Sequence, residues 1–215
     1  MPLVTALLFI ALQSISAKTP ASKPVATTVE KPYRSEAFHF TYPIPAGLHP
    51  DSAIAEEAIK EEKDKATGAK KLAFQCVQGP LMAMDTQGTF QMAGIIDLDG
   101  PCLGATVTAE QLSAVGNGSL TEAMSRFGTG KLLAPVKYKL GEHDASLILG
   151  SVVSEKFGAT FYAAISCALF DTHVVCWEFL SLSPEGVSKL AAAPVQFDGH
   201  DPQPVVPTDV MAKAK

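Results

Sequence analysis

The chain has 215 residues, 17 Lys and Arg against 22 Asp and Glu, a net charge of −5, and 47% apolar residues. Only Arg34 and Arg126 carry guanidinium groups, so the forks that read phosphates and base edges are almost missing and nucleic acid is excluded as a partner. An acidic chain without a basic amphipathic helix has equally little reason to rest on an anionic membrane surface.

Leu3 to Leu12 form an apolar run of secretory length, followed by the small residues Ser14, Ser16 and Ala17, so residues 1–17 read as a signal peptide. The run is too short to span a bilayer, and no Cys follows it as a lipoprotein anchor would need. The mature chain is therefore expected to be periplasmic or secreted, without stable membrane insertion after cleavage. Residues 18–35 read as a polar, Pro-rich tether and residues 36–198 as one α+β domain. Residues 199–215, with Pro202, Pro204 and Pro207, read as a disordered tail.

Within the domain, Phe38, Phe40 and Tyr42 alternate with His39 and Thr41 and predict a strand that Pro43 and Pro45 end. Asp51 to Lys71 predicts an amphipathic helix, with Ile54, Ala58 and Ile59 on one side and Glu56/Lys60 and Glu61/Lys65 at i,i+4 spacing. Leu72 to Met84 and Thr89 to Leu98 predict two strands around a turn at Gly88. Thr108 with Gln111 and Ser119 with Glu122 fit capping boxes, which gives two short helices or one helix broken at Gly116–Asn117–Gly118. Four strands follow over Val136 to Leu140, Ala145 to Ser154, Ala159 to Phe170 and His173 to Leu182. Ser183 then caps a helix that has Pro184 in its first position. Both faces of the last hairpin are largely apolar, which implies helices over both sides of an antiparallel sheet.

The motifs for covalent chemistry are not met. Gly116 to Leu120 lacks the second Gly of a nucleophile elbow, and Phe127 to Leu133 lacks the first Gly and the Ser/Thr of a phosphate-binding loop. Asn117–Gly118–Ser119 has the letters of a glycosylation acceptor and reads better as a turn and cap. Asp97 to Gly100 lacks the further ligands of a calcium loop and reads as a strand end. His39, His49, His143, His173 and His200 stand singly, without metal-ligand spacing, and His173 at a hairpin tip and His200 in the tail read as solvated. No cofactor is expected.

The cysteines carry the most information. Four in an exported chain favour disulfides over free thiols. If Asp171 and Thr172 form a two-residue loop, Phe170 faces His173 and Cys167 faces Cys176 across the hairpin, within bridging reach. A hairpin turning near Gln87 carries Cys76 back toward Cys102. The expected pairs are therefore Cys167 with Cys176 and Cys76 with Cys102, both as structural bridges. A reactive dithiol would want a Cys-x-x-Cys motif or a nearby cation, and Cys167 and Cys176 instead sit among Ile165, Leu169, Val174 and Leu180.

The opening AFHFTYPIP (residues 37–45) resembles the F-x-F-x-Y-P start of PsbP-like domains, and WEFLSLSPEGVSKLAAAPVQFDG (residues 177–199) resembles their closing strand, Ser-capped helix and terminal Phe. The resemblance spans about residues 36 to 198. It implies the fold of a photosystem II extrinsic subunit, a Ran-binding nuclear import factor and a range of secreted bacterial proteins: an α-β-α sandwich with helices on both faces of an antiparallel sheet. It implies an accessory role without catalysis and carries over no functional residue to a position here. The leading expectation is an exported, non-enzymatic module that binds a protein or small ligand. The alternative is a redox-sensing or thiol-exchange protein using Cys167 and Cys176, and a third reading is a hydrolase assembled from His39, Asp97 and Ser119.

Overall fold

The computed structural model describes residues 30–51, 60, 64, 67–68, 75–85, 88–102, 104, 106–125 and 127–214. The residues expected to form a signal peptide, most of those of the expected tether and most of those of the helix expected over Asp51 to Lys71 lie outside the described residues.

Twelve strands and three helices are described, in the order β1 (Tyr33–Ser35), β2 (Phe40–Tyr42), β3 (Leu48–Pro50), β4 (Val77–Asp85), β5 (Met92–Asp99), α1 (Leu112–Ser125), β6 (Thr129–Leu132), β7 (Val136–Leu140), β8 (His143–Ser154), β9 (Ala159–Phe170), β10 (His173–Ser181), α2 (Pro184–Ala191), β11 (Pro194–Phe197), β12 (Gln203–Pro204) and α3 (Thr208–Lys213). An eight-stranded sheet runs β3-β4-β5-β10-β9-β8-β6, with β7 also paired to β8, and every described pairing is antiparallel. A second, four-stranded sheet runs β1-β2-β11-β12.

Side chains alternate faces along a strand, so β10 divides the core in two. Val174, Cys176 and Leu180 join a cluster with Leu112, Val115, Leu120 and Met124 of α1. Val175, Trp177 and Phe179 join the other, with Val187 and Leu190 of α2 and Phe40, Tyr42 and Phe197 of the small sheet. The two-sided apolar pattern read from the sequence thus has a cause: β9 and β10 are interior strands with apolar cover on each face. The helix α1 packs on β6, β8 and β9, and α2 packs on β9 and β10.

Three expectations differ from the structure. The Gly116–Asn117–Gly118 stretch does not break α1, because Gly116 sits where the helix crosses the sheet: a Cβ there would lie 2.3 Å from Ile148 Cδ1. Close packing outweighs the weak helix propensity of Gly and Asn. Residues 199–215 are not a disordered tail over their described length, since Val205, Val206, Val210 and Met211 are buried in the first cluster and Tyr138 Oη donates to Val205 O at 2.7 Å. The prolines there shape β12 and the start of α3. The domain also starts earlier than residue 36, because Tyr33–Ser35 pairs with β2. Arg34 forks onto Asp198, Nη1 to Oδ1 at 3.1 Å and Nη2 to Oδ2 at 3.0 Å, tying that strand to the end of β11.

Candidate functional site

The most site-like cluster lies at the sheet end where β5 finishes and β10 begins. Asp171 adopts φ +50°, a left-handed conformation that Asp tolerates, and the two-residue turn Asp171–Thr172 sets His173 opposite Phe170 on β9 and Asp99 on β5. From there His173 Nδ1 reaches Asp97 Oδ1 at 2.9 Å. The pair is half-sunk, with side-chain exposures of 31% for His173 and 14% for Asp97. Phe38 packs over it, its ring centroid 5.3 Å from His173 and 5.3 Å from Phe170. Burial raises the Asp97 carboxyl above its ordinary range; the hydrogen bond and charge of His173 oppose that, and the charge of Asp99 adds to it. The Tyr33 phenol beside them is also raised, chiefly by burial. His173 presents its second ring nitrogen, Nε2, away from this contact, with the Phe38 ring packed against the imidazole.

His173 is therefore paired with Asp97, whereas its place at a hairpin tip predicts a solvated side chain. The hydrolase set does not assemble: His39 is exposed beside Asp198 at 3.7 Å, Asp97 faces the cluster of α2 and the small sheet through its neighbour Val175, and Ser119 is buried on α1 against the opposite face. The Asp97–His173 contact depends on the β5–β10 pairing, for which no short-range signal exists.

All four cysteines are bridged, Cys76 to Cys102 and Cys167 to Cys176. The second pair sits directly across the β9–β10 ladder with Cα atoms 4.0 Å apart, 0% and 4% exposed, and the Gly116 crossing of α1 lies over Cys167 Sγ. The first pair joins the buried Cys76, just before β4, to the exposed Cys102 in the turn after β5.

Glu178 is the one carboxylic acid among the described buried residues. It is buried on β10 on the same face as Cys176, beside Gly94 of β5, and its Oε1 has no hydrogen-bond partner. Burial alone holds its carboxyl well above the ordinary value, favouring the protonated form. Among the described residues no group of three or more His, Cys, Asp or Glu could hold a metal ion.

No family model matches the chain, and no curated protein matches it by sequence. Among solved structures it is similar to cyanobacterial PsbP (CyanoP) from Synechocystis sp. PCC 6803, at TM-score 0.51 and 9% identity over 83% of this chain and 98% of that one. It is more distantly similar to LpqN, involved in cell envelope biogenesis of Mycobacterium tuberculosis, at TM-score 0.44 and 12% identity over 81% of this chain and 90% of that one. Against the extracellular domain of PknH from the same organism the TM-score is 0.27, at 9% identity over 53% of this chain and 61% of that one. The chain has a PsbP-like fold.

Proposed function

We propose that this PsbP-like chain is an exported accessory domain that acts by binding, and that it makes its contacts at the Phe38, Tyr33, Asp97 and His173 corner. We read its two core clusters as the inner layers of an α-β-α sandwich whose lower face is completed by the small sheet. Supporting the compartment are the apolar leader at residues 1–17 and two disulfides, which persist in oxidising surroundings. The observation that carries the reading is the burial of Cys167–Cys176 beneath α1: the pair that the thiol-exchange alternative needs is out of reach of any incoming thiol and serves the scaffold. No described helix is long and apolar enough to cross a membrane.

The test is site-specific photocrosslinking in the exporting host, with a benzophenone side chain at Phe38 and, as control, at the exposed Val153 near the far end of β8. Adducts at position 38 and none at 153 are expected. Equal adducts at both, or adducts at 153 alone, would move the surface elsewhere.

A further inference from the structure

The two bridges sit in opposite settings. Cys167–Cys176 joins β9 and β10, strands interior to the sheet and flanked by β8 and β5, and a reagent reaches it only after α1 lifts or the sheet opens. Cys76–Cys102 lies at the sheet end, with Cys102 exposed and Cys76 buried. The backbone around it is tied to the candidate corner. Asp99 N donates to Cys76 O at 2.9 Å, Cys102 N donates to Asp99 Oδ1 at 3.1 Å, and Gly100 N donates to Thr172 O at 3.1 Å, one residue before His173. Asp99 itself stands opposite His173 in the β5–β10 register.

We propose that Cys76–Cys102 is a reducible clasp on the Asp97–His173 corner, opened by a dithiol that attacks at Cys102 while Cys167–Cys176 stays closed. In that step one thiolate of the dithiol bonds to Cys102 Sγ, the Sγ–Sγ bond breaks, and Cys76 leaves as a thiolate that takes up a proton. The second thiolate of the reductant then attacks the mixed disulfide and releases Cys102. Two electrons pass to the protein and the reductant leaves as its own disulfide. Attack begins at Cys102 because that sulfur belongs to the exposed residue, and access governs exchange as much as thiol chemistry does. Once open, the turn after β5 loses its covalent tie to β4, and the Gly100–Thr172 bond that braces the His173 turn is left as a surface hydrogen bond. The regulatory part of this proposal rests on the corner being the binding surface; the difference between the bridges does not.

Treating the full, folded chain with low dithiothreitol, quenching with iodoacetamide and mapping peptides tests it. Cys76 and Cys102 are expected to become alkylated at least about a hundredfold faster than Cys167 and Cys176, since fraying at a sheet end costs far less than opening a core. Amide exchange in the partly reduced protein should quicken at Asp99 and Gly100 and stay unchanged at Cys176 and Trp177. Equal rates for the two pairs, earlier opening of Cys167–Cys176, or no opening short of unfolding would overturn the clasp. Position-38 crosslinking on intact and reduced protein separates the two claims. Adducts that change on reduction support the clasp as a regulator; adducts identical in both states overturn the regulatory part. Selective opening with no adduct in either state leaves the clasp standing and refutes the corner as a contact surface.

Discussion

Among the described residues Glu178 sits in a setting far from what its chemistry prefers, and the consequence is a pH dependence of known sign. Its folded carboxyl keeps a proton to higher pH than the unfolded one does. Below about pH 4.5 both states are protonated; above it the unfolded chain ionises first, so stability falls as pH rises, by up to about 1.4 kcal/mol per unit, until the folded carboxyl ionises too. Asp97 adds a weaker contribution of the same sign, since His173 works against its burial. Urea melts of the natural chain should weaken as pH rises above about 5, and Glu178→Gln should flatten most of that slope. Parallel slopes for the two proteins would mean that the carboxyl reaches water. Trp177, 0% exposed with Phe40 at 5.4 Å between ring centroids, is a simpler case: truncation to Ala should cost about 3 to 5 kcal/mol, and a loss under about 1 kcal/mol would mean an open sheet face.

At the level of elements, α1 and the C-terminal segment are held by contacts that their own sequences do not announce. An added Cβ at Gly116 meets Ile148, itself fully buried, so overpacking of about 1 to 3 kcal/mol opposes the gain of about 1 kcal/mol in helix propensity, and Gly116→Ala should destabilise. Ile148→Val removes the clashing methyl, so the double variant should recover more than the sum of the single losses predicts; strict additivity would show that α1 does not press on the sheet there. Tyr138 Oη also bonds Ser166 Oγ, and Tyr138→Phe should cost about 1 to 3 kcal/mol by orphaning buried partners on both sides. Where a signal is local, the sequence reading and the structure agree: Ser183 accepts from Gly186 N at 3.0 Å ahead of Pro184, and Gly88 takes φ +82° in the β4–β5 hairpin. Where packing overrides propensity, as at Gly116 or under the Pro-rich tail, the local pattern points the wrong way.

For the whole molecule, the same division separates what was legible from what was not. The turn Asp171–Thr172 fixes the register of β9 on β10 from a stretch of a few residues, and with it the Cys167–Cys176 juxtaposition. Removing that bridge by Cys167→Ala with Cys176→Ala should lower stability by roughly 2 to 3 kcal/mol in the chain-entropy account, with crosslinking from position 38 retained; lost crosslinking with the fold intact would make the pair part of the site. The His173 corner and the small sheet need partners from far along the chain, and composition gives no hint of them. The small sheet carries a further consequence, for the order of folding. Strand β2 meets β11 through Phe40 opposite Phe197, so it has no long-range strand partner until nearly the entire chain has emerged. The hairpins β8–β9 and β9–β10 close short loops and can form early, whereas the β2–β11 closure bears the full loop entropy and comes last. Until that step the cluster that holds Phe40, Tyr42 and Trp177 lacks its β2–β11 cover, so a nascent chain is expected to carry an aromatic surface in need of shielding, and substitutions in β2 should quicken unfolding and leave the refolding rate nearly untouched.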